Sequence, residues 1–262
     1  MKRFQKGLLA AALALILVGG ILSLGAWALG AHTSLAWGGG WGLRPVEPGH
    51  EIDLIFSEDF DQINLRFGVT NVTVREGTEF HATGRIPGRV NIETNNNTLR
   101  MEEPHRRTSG FRFGIVFNQQ NYYLILTVPH GITLDRLTVY SGVGNIDVQD
   151  ISAARADITS GVGDIHVRNV EFEHTVIYSG VGNIRADGAF EGRVDLESGV
   201  GDVTLTLTGA REDYAYAIST GLGNTTIDGT RMSGGANRAH ANPVADLRLS
   251  SGVGNVRLDF RG

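Results

Sequence analysis

A six-residue phrase recurs along this chain, with the pattern Ser-Gly-Val-Gly-Asn/Asp-Ile/Val. Its four most regular copies lie 19 residues apart and begin at Ser141, Ser160, Ser179 and Ser198. Two looser copies follow after steps of 22 and 31 residues, beginning at Thr220 and Ser251. A short fixed period is typical of a solenoid, in which each repeat forms one coil and stacks on its neighbours. The repeat therefore constrains the architecture more than any other feature of the sequence.

The copies share four apolar columns when they are aligned on the Ser. In the first copy these columns hold Val139, Val143, Ile146 and Val148, and the residues between them are mostly polar. Because side chains alternate across a strand, the columns predict two short strands per repeat, joined by a bend at Gly-Val-Gly-Asn/Asp. The Val between the two glycines is predicted to point inward and to seal the corner. Coils stacked about 4.8 Å apart would bury a continuous interior.

The predicted fold is therefore an all-β, single-domain β-solenoid, right-handed and β-helix-like, with coils of about 19 residues. The repeat domain covers residues 50–262, irregular over 50–130 and regular over 131–262. Within the irregular part, Ile63–Val74 reproduces the apolar spacing of the phrase. Residues 229–242, which are rich in Gly, Asn and Ala, are predicted to loop out. Residues 32–49 are predicted to form a Gly- and Pro-rich linker.

The first 31 residues carry an export signal. Lys2, Arg3 and Lys6 precede an uncharged apolar stretch over residues 7–31, which is long enough to cross a bilayer core of about 30 Å as a helix. The cations predict that the rest of the chain is translocated. One interpretation is a signal anchor, giving a single-pass protein of the cytoplasmic membrane with its C-terminal domain outside. The alternative is a cleaved signal peptide and a secreted or periplasmic protein.

Composition excludes several classes of function. The net charge of −5 provides no basic surface for nucleic acid. The absence of cysteine excludes disulfides, thiol catalysis and Cys-ligated zinc. The histidines follow no metal-binding spacing, and no Gly-x-Ser-x-Gly elbow occurs. The sequence therefore predicts no catalytic, cofactor-binding or metal-binding residue, and no cofactor.

The repeated phrase itself has a structural interpretation. A phosphate-binding loop would need a following helix, and calcium would need more anionic oxygens than the frequent Asn residues supply. A tight corner instead needs positive φ angles, which Gly adopts freely and Asn and Asp tolerate. Alternating Asn and Asp would also keep carboxylates of adjacent coils apart. The predicted turn residues are Gly142, Gly144, Asn145, Gly161, Gly163, Asp164, Gly180, Gly182, Asn183, Gly199, Gly201, Asp202, Gly221, Gly223, Asn224, Gly252, Gly254 and Asn255.

Outward residues offer two further patterns. Asp147, His166 and Arg185 occupy one surface column, in which neighbours compensate each other's charge. Tyr140 and Tyr178 share one outer side two coils apart, where they could stack on sugar rings. Some β-solenoids cleave polysaccharides with clustered carboxylates, but the carboxylates here, at Asp147, Asp157, Asp187 and Asp195, are scattered among coils.

The stretch from Leu126 to Ile146 joins a Val-Pro-His-Gly strand to the first regular phrase. This order resembles the bacterial "putative adhesin" β-strand-repeat family, whose members join an N-terminal membrane segment to such repeats. The resemblance covers about residues 50–262. It implies an extracytoplasmic β-solenoid with a role in adhesion or envelope sensing, and it supplies no catalytic residues.

The sequence thus favours a non-enzymatic, membrane-tethered binding module or scaffold outside the cytoplasmic membrane. Its expected partners are the membrane, through the N-terminal helix, and a glycan, cell-wall or protein ligand, and nucleic acid is not expected. The alternative is a carbohydrate-active β-helix enzyme that acts on envelope or extracellular polysaccharide.

Overall fold

The computed structural model describes residues 35–37, 43–45, 49–88, 90–103, 122–232 and 235–261. The predicted signal or anchor segment, residues 1–31, lies outside these ranges. No helix among the described residues is long and apolar enough to cross a membrane. Two short strands, β1 (Leu35–Trp37) and β2 (Leu43–Pro45), pair in antiparallel orientation.

The other described strands belong to one compact unit. They are β3 (His50–Ile55), β4 (Gln62–Val69), β5 (Asn71–Gly77), β6 (His81–Ile86), β7 (Asn91–Asn95), β8 (Thr98–Glu102), β9 (Tyr123–Pro129), β10 (Thr133–Leu134), β11 (Arg136–Val143), β12 (Ile146–Gln149), β13 (Ser152–Val162), β14 (Ile165–Val181), β15 (Ile184–Val200), β16 (Val203–Thr208), β17 (Tyr214–Leu222), β18 (Thr225–Ile227), β19 (Thr230–Met232), β20 (Ala236–Arg238), β21 (Ala245–Val253) and β22 (Val256–Arg261). A short 3-10 turn, Arg211–Asp213, precedes β17.

Successive regular repeats pair in parallel and in register. Ser141 of β11 is opposite Ser160 of β13, which is opposite Ser179 of β14 and then Ser198 of β15. The strand segments before the phrase corner form one sheet surface, which we call the first face. The segments after the corner form another, the second face, which contains β5, β12, β16, β22 and β18. The all-β, solenoid-like prediction is confirmed, and the handedness of the coils stays a prediction.

Apolar side chains fill the interior along both faces. The columns two residues before the Ser and five and seven after it are buried, as Val139, Ile146 and Val148 show in the first coil. A third short row, β10 with the start of β13 and the middle parts of β14 and β15, contributes Phe172 and Phe190, whose rings meet edge to face at 6.0 Å. Burial of these rows removes a long apolar surface from water and stabilises the stack.

The coils at the two ends do not stack in chain order. Ser251 of β21 pairs with Ser198 on one side and with Thr220 on the other, so the last phrase lies between its two predecessors. At the opposite end, β4 lies between β8 and β11, although β8 follows β4 in the chain. The regular spacing indicates which coils can be neighbours, but it does not predict this exchange of order.

Antiparallel strands cover the end coils. β19 and β20 fold back onto β18 and β17, and β7 and β6 pair with β8 and β9. The prediction that residues 229–242 loop out is therefore wrong for β19 and β20. These two strands use the hydrogen-bonding groups that the outermost coil would otherwise expose.

Candidate functional site: the outer rows of the repeat

Each repeated Ser lies inside the solenoid-like core. Ser160, Ser179 and Ser198 are fully buried, and each hydroxyl donates to the carbonyl of the second glycine of the preceding coil, at 2.8–3.0 Å. Such a bond satisfies a polar group that would otherwise be costly to bury. These hydroxyls hold adjacent coils together and are not available as nucleophiles.

The two glycines of each phrase have different roles. Gly163 has a φ of 151°, and a Cβ there would lie 2.2 Å from the carbonyl oxygen of Gly144. Gly161 is absent from the positive-φ glycines of the described residues, so its predicted positive φ is wrong. It is needed because a Cβ would meet the Gly142 carbonyl oxygen at 2.4 Å. The first glycine allows close stacking, and the second allows the bend.

The Val between the glycines points outward, so the prediction that it seals the corner is wrong. The alternation that buries the Ser does not continue to the Val, which lies directly before the bend at the second glycine. This Val is 47–49% exposed in five coils, and the equivalents at the two ends of the row, Val69 and Leu222, are 41% and 71% exposed. We call this row the aliphatic ridge; in spatial order it contains Val69, Val143, Val162, Val181, Val200, Val253 and Leu222.

The Asn and Asp residues of the phrase form a hydrogen-bonded ladder rather than positive-φ turns. The Oδ1 of Asp164 accepts the backbone N–H of Asn183 at 2.7 Å and its side-chain amide at 3.1 Å. Asn145 and Asn183 likewise accept the backbone N–H of the next coil. Among the described residues, positive φ at non-glycine positions occurs elsewhere, for example at Asn96 and Asp150. The ladder places an Asn on both sides of each Asp.

A polar groove of about 320 Å³ crosses the second face. Its polar lining residues are Asp147, His166, Arg168, Arg185, Asp187, Thr204 and Thr206. As the sequence predicts, Asp147, His166 and Arg185 occupy one column. Asp147, however, accepts hydrogen bonds from Arg168, whose Nη2 lies 2.9 Å from both carboxylate oxygens.

Of the two arginines in the groove, Arg168 has a carboxylate partner and Arg185 has none among the described residues. The hydrogen bond that Arg168 donates to Asp147 raises the pKa of Arg168 further above its usual value, so this guanidinium stays charged. Within the described part of the chain, the Arg185 side chain hydrogen-bonds only to the His166 ring, at 3.2 Å, and no carboxylate lies within 4.0 Å of its guanidinium nitrogens. A free guanidinium beside the Thr204 and Thr206 hydroxyls can bind an anionic or hydroxyl-rich ligand.

The four carboxylates considered for catalysis are divided between the faces. Asp147 and Asp187 are on the second face, and Asp157 and Asp195 are on the first. Each has its own partner: Asp157 pairs with Arg136, Asp195 pairs with Arg193, and Asp187 accepts the backbone N–H of Asn169. Among the described residues, no group of three or more His, Asp or Glu side chains is arranged to hold a metal ion.

Tyr140 and Tyr178 lie on the outer side of the first face, two coils apart and 37% and 39% exposed. A second depression of about 450 Å³ lies near the end of the same face, next to β17, β20 and β21. It includes Arg248 and small side chains such as Ala217 and Ala236.

A protein-family model described as Toastrack DUF4097 matches residues 60–260. A crystal structure of a "putative cell adhesion protein" from Clostridium sporogenes shares 15% identity at a TM-score of 0.50, covering 81% of this chain and 100% of that chain. A "putative adhesin" from Bacteroides fragilis shares 16% identity over 83% and 100% of the two chains, with a TM-score of 0.35. A "Putative lipid binding protein" from Parabacteroides distasonis shares 10% identity over 82% and 97%, with a TM-score of 0.30. No curated protein matches the sequence.

The likeness to the Clostridium protein shows a common fold and nothing about ligands, because the identity is so low. The family model, in contrast, spans most of the sequence and includes every copy of the repeated phrase. The chain belongs to the Toastrack DUF4097 family.

Proposed function

We propose that this protein is a non-enzymatic, adhesin-like binding module that is tethered to the cytoplasmic membrane and presents its repeat domain outside it. One observation carries the proposal. Apolar side chains fill most of the interior of the described repeat, while charged and hydroxyl side chains such as Arg185 and Thr204 lie on open outer rows. A ligand therefore has access to long, regular surfaces, as in other stacked-repeat proteins that bind through their surfaces.

The polar groove on the second face is the best-supported ligand site. Arg185 has no carboxylate partner among the described residues, and it lies beside the hydroxyls of Thr204 and Thr206. Because a guanidinium donates a planar fork of hydrogen bonds, it favours carboxylate, phosphate or sugar oxygens. The proposed ligand is an anionic or hydroxyl-rich component of the envelope, such as a glycan, a wall polymer or a glycosylated protein.

The membrane tether and the location rest on residues 1–31 of the sequence. Three cations before an uncharged stretch of membrane-spanning length favour a signal anchor with the repeats outside. Tethering would keep the groove outside the membrane, where wall polymers are available as ligands.

Photo-crosslinking in intact cells tests this proposal. A photoreactive phenylalanine analogue replaces Thr204 in the groove, or Thr73 in the same outward column four coils away as a matched control. We expect an adduct with an envelope component from position 204 and at least tenfold less from position 73. Removing the guanidinium with Arg185→Ala should reduce the adduct.

Two results would contradict the proposal. One is equal crosslinking from both positions. The other is release of soluble oligosaccharide from wall material by the purified protein, if Asp147→Asn abolishes that release. The second result would support the alternative, a carbohydrate-active enzyme.

A further inference from the structure

The aliphatic ridge has no role in the interior and none in the polar groove. Seven branched apolar side chains, one from each of seven adjacent coils, stand outward along one corner of the stack. At about 4.8 Å per coil, the ridge extends for about 29 Å. We propose that the aliphatic ridge is the surface through which two copies of this chain pair with each other.

The spacing of the ridge favours a second copy as the partner. A surface that contacts every coil must repeat at the same interval, about 4.8 Å, which is the spacing between β-strands. Another copy has this repeat along its own ridge, whereas an unrelated globular surface does not. Contact of a ridge with a ridge is also self-complementary, as closed two-fold dimers require.

The surroundings of the ridge allow such close approach. Glycines flank the Val in the regular coils, as Gly161 and Gly163 flank Val162, so no side chain from these positions stands between the ridge and a partner. Along the neighbouring Asn/Asp ladder, only Asp164 and Asp202 are charged, and Asn183 lies between them. Pairing therefore buries few charges.

The area of the ridge indicates a weak dimer. A strip about 29 Å long and about 10 Å wide covers roughly 300 Å² per copy. Stable specific interfaces bury about 800 Å² per partner. The pairing should therefore be sparse in dilute solution and should become populated when chains are concentrated, for example by a shared membrane.

Disulfide crosslinking of the full chain tests the pairing, since the sequence contains no cysteine. Val162→Cys and Val181→Cys are produced singly and together in cells and are oxidised with copper phenanthroline. The matched control is Val176→Cys, on the first face, where the Val is 45% exposed against 49% for Val181. We expect a disulfide-linked dimer from the ridge variants, alone or mixed, at least tenfold more abundant than from the control.

In the second part of this test, a charge is placed on the ridge to weaken the pairing. Val200→Lys added to Val181→Cys should reduce the dimer about tenfold, whereas Val176→Lys in the same background should not. Both substituted Val side chains are about half exposed, so both variants should fold, which resistance to limited proteolysis can check. Dimer yields equal to those of Val176→Cys, or ridge crosslinks only to other proteins, would overturn the proposal. Neither result bears on ligand capture at Thr204.

Discussion

The central coils and the end coils carry the same phrase but are assembled differently. From Ser141 to Ser198 the order along the chain is also the order in space. Beyond Ser198 the chain first forms the outermost coil, which contains Thr220. It then returns and places Ser251 between Ser198 and Thr220. The opposite end shows the same exchange, because β4 lies inside β8.

The repeat specifies the contacts between neighbouring coils, whereas the ends of the stack need other strands to cover their unpaired backbone groups. Any coil with the phrase can lie beside any other, because hydroxyl, glycine and ladder contacts recur at each step. An end coil, however, exposes unpaired backbone groups, which favour aggregation unless another strand covers them. The outermost coil at one end is the least regular copy, and β19 and β20 cover it. Its ridge residue, Leu222, is accordingly the most exposed of the row.

The largest expected contrast lies between two glycines with positive φ. In a central coil, Gly163→Val places a Cβ 2.2 Å from the Gly144 carbonyl oxygen, where the backbone of the next coil cannot yield. We expect a loss of about 4 kcal/mol or more in the free energy of unfolding. Gly229, in the turn after β18, has a φ of 74° and open space around it. Gly229→Val should cost only about 1–2 kcal/mol of conformational strain.

Urea denaturation of both variants checks this contrast. Equal losses would show that the central corner adapts as readily as an end turn, which would contradict the close stacking of the glycines.

The sequence predicts the fold class and the register of the central coils because their period is constant. Residue type alone could not predict that, at the corner, the Ser side chain points inward and the Val side chain points outward. Val is usually buried and Ser usually exposed, so alternation and hydrophobicity both favour an inward Val143. The corner that ends at the Gly144 bend overrides that preference and leaves Ser141 as the inward residue. The sequence signals for its burial are the invariance of the Ser in the regular copies and its place two residues after the inward Val139.

In the polar groove, too, the repeat period predicts some side-chain contacts and not others. The column of Asp147, His166 and Arg185 follows from the repeat period, because equivalent positions of adjacent coils are neighbours. The pairing of Asp147 with Arg168 does not follow, because it joins adjacent outward columns across coils. That diagonal contact leaves Arg185 without a carboxylate partner among the described residues, and only coordinates show it.

The Asn/Asp ladder offers a second, smaller contrast. Asn183→Asp would place three carboxylates in consecutive coils, with Asp164 and Asp202 on either side. Each new pair should cost about 1 kcal/mol, so we expect a loss of about 2 kcal/mol. Asn71→Asp adds a charge beside the neutral Asn145, and it should have little effect.

Denaturation at low and high salt measures this effect. The loss in Asn183→Asp should shrink in about 1 M salt because exposed charges are screened. A loss that does not depend on salt would indicate a broken hydrogen bond instead of repulsion.

The smallest expected effect concerns a tyrosine of the outermost coil. Tyr214 is buried, and its hydroxyl donates to the carbonyl of Thr208 at 2.8 Å. Burial raises the pKa of Tyr214 above its ordinary value, and the negative charges of Asp213 and Glu191 add to the shift. The folded state therefore favours the neutral phenol. As the pH rises through about 10, the unfolded chain ionises first and stability falls.

Tyr214→Phe should remove this alkaline loss while it costs about 1 kcal/mol at pH about 8, through the missing hydrogen bond. Its urea midpoint should thus fall less than that of the parent between pH of about 8 and 11. Tyr178→Phe, in a central coil and 39% exposed, is the control and should follow the parent. If the urea midpoints of Tyr214→Phe and the parent fall in parallel with pH, ionisation of the Tyr214 phenol does not contribute. The alkaline loss of stability must then arise from other groups.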